Sequence, residues 1–257
     1  TVLSRANIFK AIYCMESYVF EKGLLSEEDL KMYVRLQDKY DFECINSVIK
    51  ECQKKLEALM NDEKLLFDVE VYFKIKKWDE KMQKIVFRPI HSAKLIDQIC
   101  MVCMLQPLMF DDRGNKRELS ELTKLLPHNF YGNIPSVDVE KLFVPWKEKY
   151  KEYNDEVIAH CREYQETHKY RTEISLDIKN FFPSISPQFI FEYVLRTLEY
   201  TYESEEDQDT LKRILAKLLY FNIRKENLEG LEEDYYSKPI DGDVYMNCGI
   251  AQGLPQS

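Results

Sequence analysis

The chain lacks several features that mark particular classes of protein. It has no apolar run long enough to span a bilayer, and its first residues do not form a signal-peptide pattern. It has no internal repeat and no low-complexity linker. Its seven cysteines form no paired framework, which argues against a disulfide scaffold. The sequence therefore predicts a cytoplasmic protein in a reducing setting, with no membrane partner.

The composition is that of an ordinary globular protein. The chain has 257 residues, of which 45% are hydrophobic and 32% are charged, so it can bury a sizeable core. Its net charge of −9 argues against nucleic-acid binding, because Lys and Arg drive contacts with phosphates. The distribution of charge matters more than the total, however. Acidic runs at 203–209 and 232–234 on a solvated face are compatible with a basic groove elsewhere.

Hydrophobic periodicity predicts helices in the first part of the chain and again after a hairpin. Apolar residues recur at helical spacing from Ile45 to Leu59, and Ser26 with Asp29 indicates a helix start. Strands are predicted at 67–75 and 85–90, around a polar turn at 78–83. Further helices are predicted at 95–110, at 139–164, after the Ser186–Pro187 pair and at 211–220, with a short strand at 172–178 and a turn at Asp241–Gly242. Helices interleaved irregularly with short antiparallel hairpins indicate an α+β fold.

Two segments carry the most chemistry. ISLDIKNFFPSIS, residues 174–186, ends an apolar strand at Asp177 and continues with Phe181 and Phe182. CGIAQGLPQS, residues 248–257, contains Gln252 and Gly253. Asp177 alone is also typical of a strand-end turn with core phenylalanines beside it, and a Gly/Pro string is also typical of a surface turn. The occurrence of both segments, in this order, favours a functional interpretation.

Together these segments resemble motifs A and B of reverse transcriptases. The resemblance implies that Asp177 and the backbone carbonyl of Ile178 are ligands of Mg²⁺ or Mn²⁺, a hard ion that prefers oxygen donors. It implies that Phe182, five residues after Asp177, is the steric gate against a ribose 2′-OH. Gln252 is expected against the sugar and base of the incoming nucleotide, and Gly253 where the backbone approaches it. Many members of the family have Pro where this chain has Ala251.

The hairpin resembles the fingers hairpin of bacterial reverse transcriptases. Its FRPIHSAKLIDQ segment, residues 87–98, is similar to the Arg-Pro-Ile/Leu segment that precedes an apolar helix in that family. The resemblance implies that Arg88 meets the nucleotide triphosphate, with Lys76 and Lys77 as looser assignments. A solvated charged hairpin is the alternative for each lysine. Tyr131-Gly132-Asn133 and the helix that follows resemble the abortive-infection and antiphage-defence branches.

The resemblance implies a right-hand polymerase with three regions: helices at 1–66, fingers at 67–171, and a partial palm with motifs A and B at 172–257. The implied activity is RNA-directed DNA synthesis by two-metal nucleotidyl transfer, with an RNA template, a DNA or RNA primer and deoxynucleoside triphosphates. The alternatives are a repurposed or template-independent polymerase in phage defence and a non-catalytic RNA-binding descendant. The oligomeric state is left open.

The sequence stops before the position of the family's second carboxylate motif. We therefore expect activity from the full-length protein and none from these 257 residues alone. The Cys100-Met101-Val102-Cys103 pair lies in an apolar run without a second pair at zinc spacing. Its cysteines are expected to be buried core thiols.

Overall fold

The computed structural model describes residues 2–14, 26–109, 131–132, 134, 136, 141–168, 172, 174, 176, 181–199, 204–224, 239–241, 244–246 and 249–255. Helices and strands are mixed along the chain, in agreement with the predicted α+β class. The described helices are α1 (Arg5–Cys14), α2 (Glu27–Leu36), α3 (Phe42–Asn61), α4 (Leu95–Met109), α5 (Trp146–Thr167), α6 (Phe181–Ser184), α7 (Pro187–Glu199) and α8 (Glu205–Leu219). The described strands are β1 (Phe67–Asp79), β2 (Lys84–Ser92), β3 (Phe221–Arg224), β4 (Pro239–Asp241) and β5 (Val244–Met246).

Serine side chains begin three of these helices. The Ser26 hydroxyl accepts from the N–H of Asp29, and the Ser204 hydroxyl accepts from the N–H of Asp207. Ser186 accepts in the same way from Phe189, ahead of Pro187 in the first turn of α7. Each serine satisfies an N–H that has no partner within its helix. The helix starts predicted at Ser26 and at Ser186–Pro187 are confirmed.

The described strands form one sheet in the order β2-β1-β3-β5-β4. β1 and β2 form the predicted antiparallel hairpin, which is longer than expected at both strands. β3 pairs parallel to β1, with Phe67 opposite Phe221, and antiparallel to β5. β4 and β5 pair antiparallel on either side of the predicted Asp241–Gly242 turn, of which Gly242 lies outside the described residues.

The outer half of the β1–β2 hairpin projects from the core. From Phe67 to Val71 buried and exposed residues alternate, as in a strand with one covered face. From Lys74 to Trp78 every side chain of β1 is exposed. The register shifts between Ile75 and Lys77, so Lys76 is the extra residue of a β-bulge. We call residues 74–88 the hairpin arm.

One large core unites elements from all three predicted regions. It contains α1 and α3 residues such as Ile8 and Leu56, the base of β1 at Phe67, much of α4, and Leu254 near the end of the chain. Cys100 and Cys103 lie in this core and are fully buried, which confirms that they are core thiols. Among the described residues no group of three or more His, Cys, Asp or Glu side chains could hold a metal ion.

A buried lysine joins α8 to the connection between α3 and β1. The ammonium of Lys217 donates to the carbonyl oxygens of Asp62, Glu63 and Leu65, at 2.8, 2.8 and 2.6 Å. Burial lowers the pKa of Lys217. Arg213, one turn earlier, donates to the carbonyl of Met60 near the end of α3. Both cations therefore bond a carbonyl at the C-terminal end of α3, that of Met60 or that of Asp62, where positive charge is favourable.

Two sequence expectations differ from the structure. Thr172, Ile174 and Leu176, the described residues of the predicted 172–178 strand, belong to no strand, and Ile174 and Leu176 are exposed. Helix α5 begins at Trp146, seven residues after the predicted start, and the aromatic residues that recur along it at helical spacing, Trp146, Tyr150 and Tyr153, are exposed, with none of its side chains buried. Periodicity identifies which residues share a face, and whether another element covers that face depends on tertiary packing. No helix in the described part of the chain has the length and apolarity needed to cross a bilayer.

Candidate functional site

The end of β2 is held against residues 249–255, which we call the glutamine loop. The backbone N–H of His91 donates to the carbonyl oxygen of Gln252 at 2.8 Å. In return, the backbone N–H of Gln252 donates to Nδ1 of His91 at 2.9 Å. β2 is an edge strand of the sheet, and Pro89 is tolerated there because an edge residue can lack an N–H. The glutamine loop therefore docks on the open edge of β2 through a reciprocal pair of hydrogen bonds.

The His91 side chain is 4% exposed and packs with its ring edge toward Phe221, with ring centroids 5.5 Å apart. Burial lowers the pKa of His91 to about 4. The imidazole is therefore neutral at neutral pH. Because Nδ1 accepts from Gln252, the proton of the neutral ring resides on Nε2.

Some residues of the glutamine loop anchor it in the core, and others remain partly exposed. Ala251 and Leu254 are buried in the main core, whereas Gln252 and Gly253 are partly exposed. Gly253 has φ of +114°, which L side chains rarely adopt. A Cβ atom at this position would lie 2.9 Å from the carbonyl oxygen of His91. Glycine is thus required by the backbone angle and by the close approach of the loop to β2.

The aromatic turn α6 contacts the same loop. The backbone N–H of Ile250 donates to the carbonyl oxygen of Phe182 at 3.0 Å. Phe182 is half-buried, and its ring meets that of Phe181 edge to face, with centroids 5.3 Å apart. The predicted gate residue therefore bonds through its backbone to Ile250, which lies two positions before Gln252 in the loop.

The predicted phosphate-binding cations lie on the hairpin arm. Arg88 on β2 is directly opposite Lys74 on β1, and both are exposed. Lys76 and Lys77 are also exposed, at and beside the β-bulge. Like charges directly opposite one another destabilise a strand pair. An anion bound between Lys74 and Arg88 would relieve that repulsion.

The hairpin arm has a net positive charge, whereas the whole chain has a net negative charge. Between Lys74 and Arg88 the sequence has six Lys or Arg residues and two acidic residues, in a chain whose net charge is −9. The described part of the 203–209 acidic run begins α8, and Glu205, Glu206 and Asp207 are exposed there. Among the described residues, positive charge is concentrated on the exposed hairpin arm and negative charge on the solvated first turn of α8. Residues 232–234 lie outside the described residues.

Asp177 and Ile178, the metal ligands that the resemblance implies, lie outside the described residues. Their donors are a carboxylate and a backbone carbonyl, and oxygen donors of this kind suit Mg²⁺ or Mn²⁺. Asn133 of the Tyr131-Gly132-Asn133 segment also lies outside the described residues. The ring of Tyr131 packs against Tyr153 of α5, with centroids 5.7 Å apart.

His91 is the residue of this site that the sequence analysis did not identify. The only sequence signal is its place directly after the Arg-Pro-Ile segment, where strand alternation puts it on the buried face with Pro89. A lone histidine on a buried face is ordinarily a core residue. Its partner is Gln252, 161 residues away, and no local pattern reveals a pairing at that distance.

The sequence matches no protein-family model, and no curated protein shows significant similarity to it.

Proposed function

We propose that the chain forms the fingers and part of the palm of a bacterial RNA-directed DNA polymerase. In the full-length protein it acts by two-metal nucleotidyl transfer on deoxynucleoside triphosphates, with an RNA template and a DNA or RNA primer. Within this family, the Tyr131-Gly132-Asn133 segment favours the antiphage-defence branch.

The observation that carries the proposal is the meeting of three distant segments. The base of the hairpin at His91, the aromatic turn at Phe182 and the glutamine loop are joined by three hydrogen bonds of 2.8 to 3.0 Å. These are the segments on which the resemblance to reverse transcriptases rests. Segments that resembled motifs by chance would have no reason to lie together. Their contact supports a single nucleotide site built from all three.

The basic hairpin arm supports the same proposal. A triphosphate carries several negative charges, and a guanidinium such as that of Arg88 binds phosphate oxygens through paired hydrogen bonds. Arg88 also lies three residues before His91 on β2. The hairpin arm and the docked glutamine loop therefore share strand β2: the arm contains its first half, and the loop docks near its end.

The residues divide the work as follows. Asp177 and the carbonyl of Ile178 would hold the metal, which supplies charge stabilisation for the transferring phosphoryl group. Phe182 would exclude a 2′-OH, and Gln252 with Gly253 would bound the sugar and base. Arg88, with Lys76 and Lys77, would neutralise the triphosphate.

Primer extension by the full-length protein tests the proposal. The reaction contains an RNA template, a labelled primer, Mg²⁺ and deoxynucleoside triphosphates, and a parallel reaction contains the Asp177→Asn variant. We expect template-dependent extension by the wild type and its loss in Asp177→Asn.

The same experiment distinguishes the proposed function from its alternatives. Extension that persists without template indicates a template-independent polymerase. Binding of RNA without extension, with either Mg²⁺ or Mn²⁺, indicates a non-catalytic descendant of the fold. Equal extension by wild type and Asp177→Asn contradicts the assignment of the metal ligand.

A further inference from the structure

The contact between His91 and Gln252 is tighter than an ordinary loop docking. Both hydrogen bonds join the same two residues, one through backbone atoms alone and one through Nδ1 of the imidazole. The next residue, Gly253, approaches the backbone of His91 so closely that a Cβ atom does not fit. The two bonds and the close approach together leave the loop a single position along β2.

The imidazole that accepts this bond is buried, and the N–H that donates it belongs to a partly exposed residue. His91 is 4% exposed, and the residues on both sides of Gln252 and Gly253 in the loop, Ala251 and Leu254, are buried. Loss of the Nδ1 acceptor would leave the N–H of Gln252 without this partner, facing a buried side chain at position 91. Such an N–H is costly to leave unpaired, so the loop would shift to find another acceptor.

The contact also links groups with separate proposed roles. On one side of it, β2 leads back to Arg88 on the hairpin arm. On the other side, the glutamine loop reaches the carbonyl of Phe182 through Ile250. Displacement of the loop at His91 would therefore change the distance between the triphosphate-binding arm and the sugar-binding residues.

We propose that His91 is a positioning residue that fixes Gln252 and Gly253 against the base of the hairpin, and that it thereby sets nucleotide affinity and sugar discrimination. This inference rests on the proposed function. His91 has no contact with the reacting atoms in this role, because it acts through the backbone of Gln252.

Two substitutions separate the acceptor from the bulk of the side chain. His91→Leu keeps a branched side chain but places a carbon where Nδ1 stood. His91→Asn places an amide oxygen at the same number of bonds from the backbone, so it can still accept from Gln252. Lys217→Met is the matched control, because it removes another buried polar anchor that does not contact the loop.

The first measurement does not depend on catalysis. Hydrogen exchange of the 249–255 peptide is followed by mass spectrometry in the full-length wild type and the three variants. We expect faster exchange in His91→Leu, and exchange close to wild type in His91→Asn and Lys217→Met. An exchange rate in His91→Leu equal to that of the wild type would overturn the assignment of His91 as the residue that anchors the loop.

The second measurement is steady-state incorporation of dTTP and of UTP opposite the same template base. We expect the KM for dTTP to rise about tenfold in His91→Leu, as loss of one hydrogen bond to a buried acceptor predicts, with a smaller preference for dTTP over UTP. His91→Asn should restore both quantities, and Lys217→Met should lower only the melting temperature.

The outcomes distinguish the two proposals. A His91→Leu enzyme with wild-type KM and sugar preference overturns the inference and leaves the proposed function intact. A His91→Asn enzyme as defective as His91→Leu overturns it too, because the shape of the imidazole then matters and its acceptor does not. A wild-type protein that incorporates neither nucleotide overturns the proposed function, while the exchange measurement still decides whether His91 anchors the loop.

Discussion

The backbone N–H of Ile250 donates a hydrogen bond to the carbonyl oxygen of Phe182, at 3.0 Å. The two residues are far apart in sequence, and each lies in one of the two segments that resemble polymerase motifs. Because the bond uses only the backbone of Phe182, the side chain can be changed without breaking the contact. The proposed gate function of the ring can therefore be tested apart from the docking of the turn.

We expect Phe182→Ala to admit ribonucleotides. Loss of the ring opens space for a 2′-OH, and removing one steric exclusion of this kind should raise ribonucleotide incorporation by about tenfold or more. The measurement is the ratio of kcat/KM for UTP and dTTP in the full-length protein. Phe181→Ala is the matched control, since Phe181 is the adjacent, more exposed aromatic. An unchanged ratio in Phe182→Ala would identify Phe182 as a packing residue.

The local elements of this fold were predictable because their signals are local. The caps at Ser26 and Ser186, the hairpin and helix α4 follow from side-chain hydrogen bonding and apolar periodicity over a few residues. Cys100 and Cys103 were predictable as core thiols because the run around them is apolar throughout.

Other features depend on partners far away in the chain. The parallel pairing of β1 with β3 and the docking of Gln252 on His91 join residues more than 150 positions apart. Local patterns do not specify such pairs. The aromatic residues of α5 from Trp146 to Tyr153 also show this limit of local patterns. Their spacing is typical of a covered helix face, yet they are exposed.

We expect Asp177→Asn to reduce nucleotide incorporation by at least about 10²-fold, the scale on which loss of transition-state charge stabilisation acts. The amide keeps the shape of the carboxylate and loses the charge that would hold the metal. The rate of single-nucleotide incorporation measures the effect, with circular dichroism as the test of folding. Asp209→Asn makes the same chemical change on exposed α8 and should leave the rate unaltered. Comparable rates for the two variants would count against Asp177 as a ligand.

We expect Lys217→Met to lower the free energy of unfolding by roughly 2 kcal/mol, the scale of a hydrogen bond to a charged group. The substitution keeps the aliphatic stem and leaves the carbonyls of Asp62, Glu63 and Leu65 without their ammonium donor. Urea unfolding of the 257-residue chain measures the change. Lys212→Met, on the same helix, removes a part-exposed lysine whose ion pair with Asp209 spans 3.6 Å, and its effect should be within about 0.5 kcal/mol. Equal effects of the two variants would show that the buried contacts of Lys217 contribute little.

We expect Gly253→Ala to be more damaging to the glutamine loop than Gln252→Ala. An alanine at φ of +114° is strained by about 1 to 3 kcal/mol, and its Cβ meets the backbone of His91. Gln252→Ala removes only the side chain and keeps both hydrogen bonds that the backbone of residue 252 makes with His91. Melting temperature and protease cleavage within 249–255 are the measurements. A Gly253→Ala chain as stable and as resistant as Gln252→Ala would contradict the close approach of loop and strand.

The last prediction concerns pH. Burial lowers the pKa of His91 to about 4 from 6.5, so between these values the unfolded chain binds a proton at this residue and the folded chain does not. Protons therefore favour unfolding in that window, and stability falls as the pH falls from 6.5 toward 4. The full contribution of this group, about 3 kcal/mol, is present above pH 6.5 and is lost near pH 4.

Urea unfolding of the wild type and of His91→Asn between pH 4.5 and 7.5 isolates this contribution. Other groups titrate in both proteins, so the difference between the two curves reports on His91. We expect the stability difference to shrink as the pH falls, because the asparagine has no proton to gain. A wild-type curve parallel to that of His91→Asn would mean that His91 titrates normally in the folded chain, and the buried neutral imidazole on which the loop contact depends would be wrong.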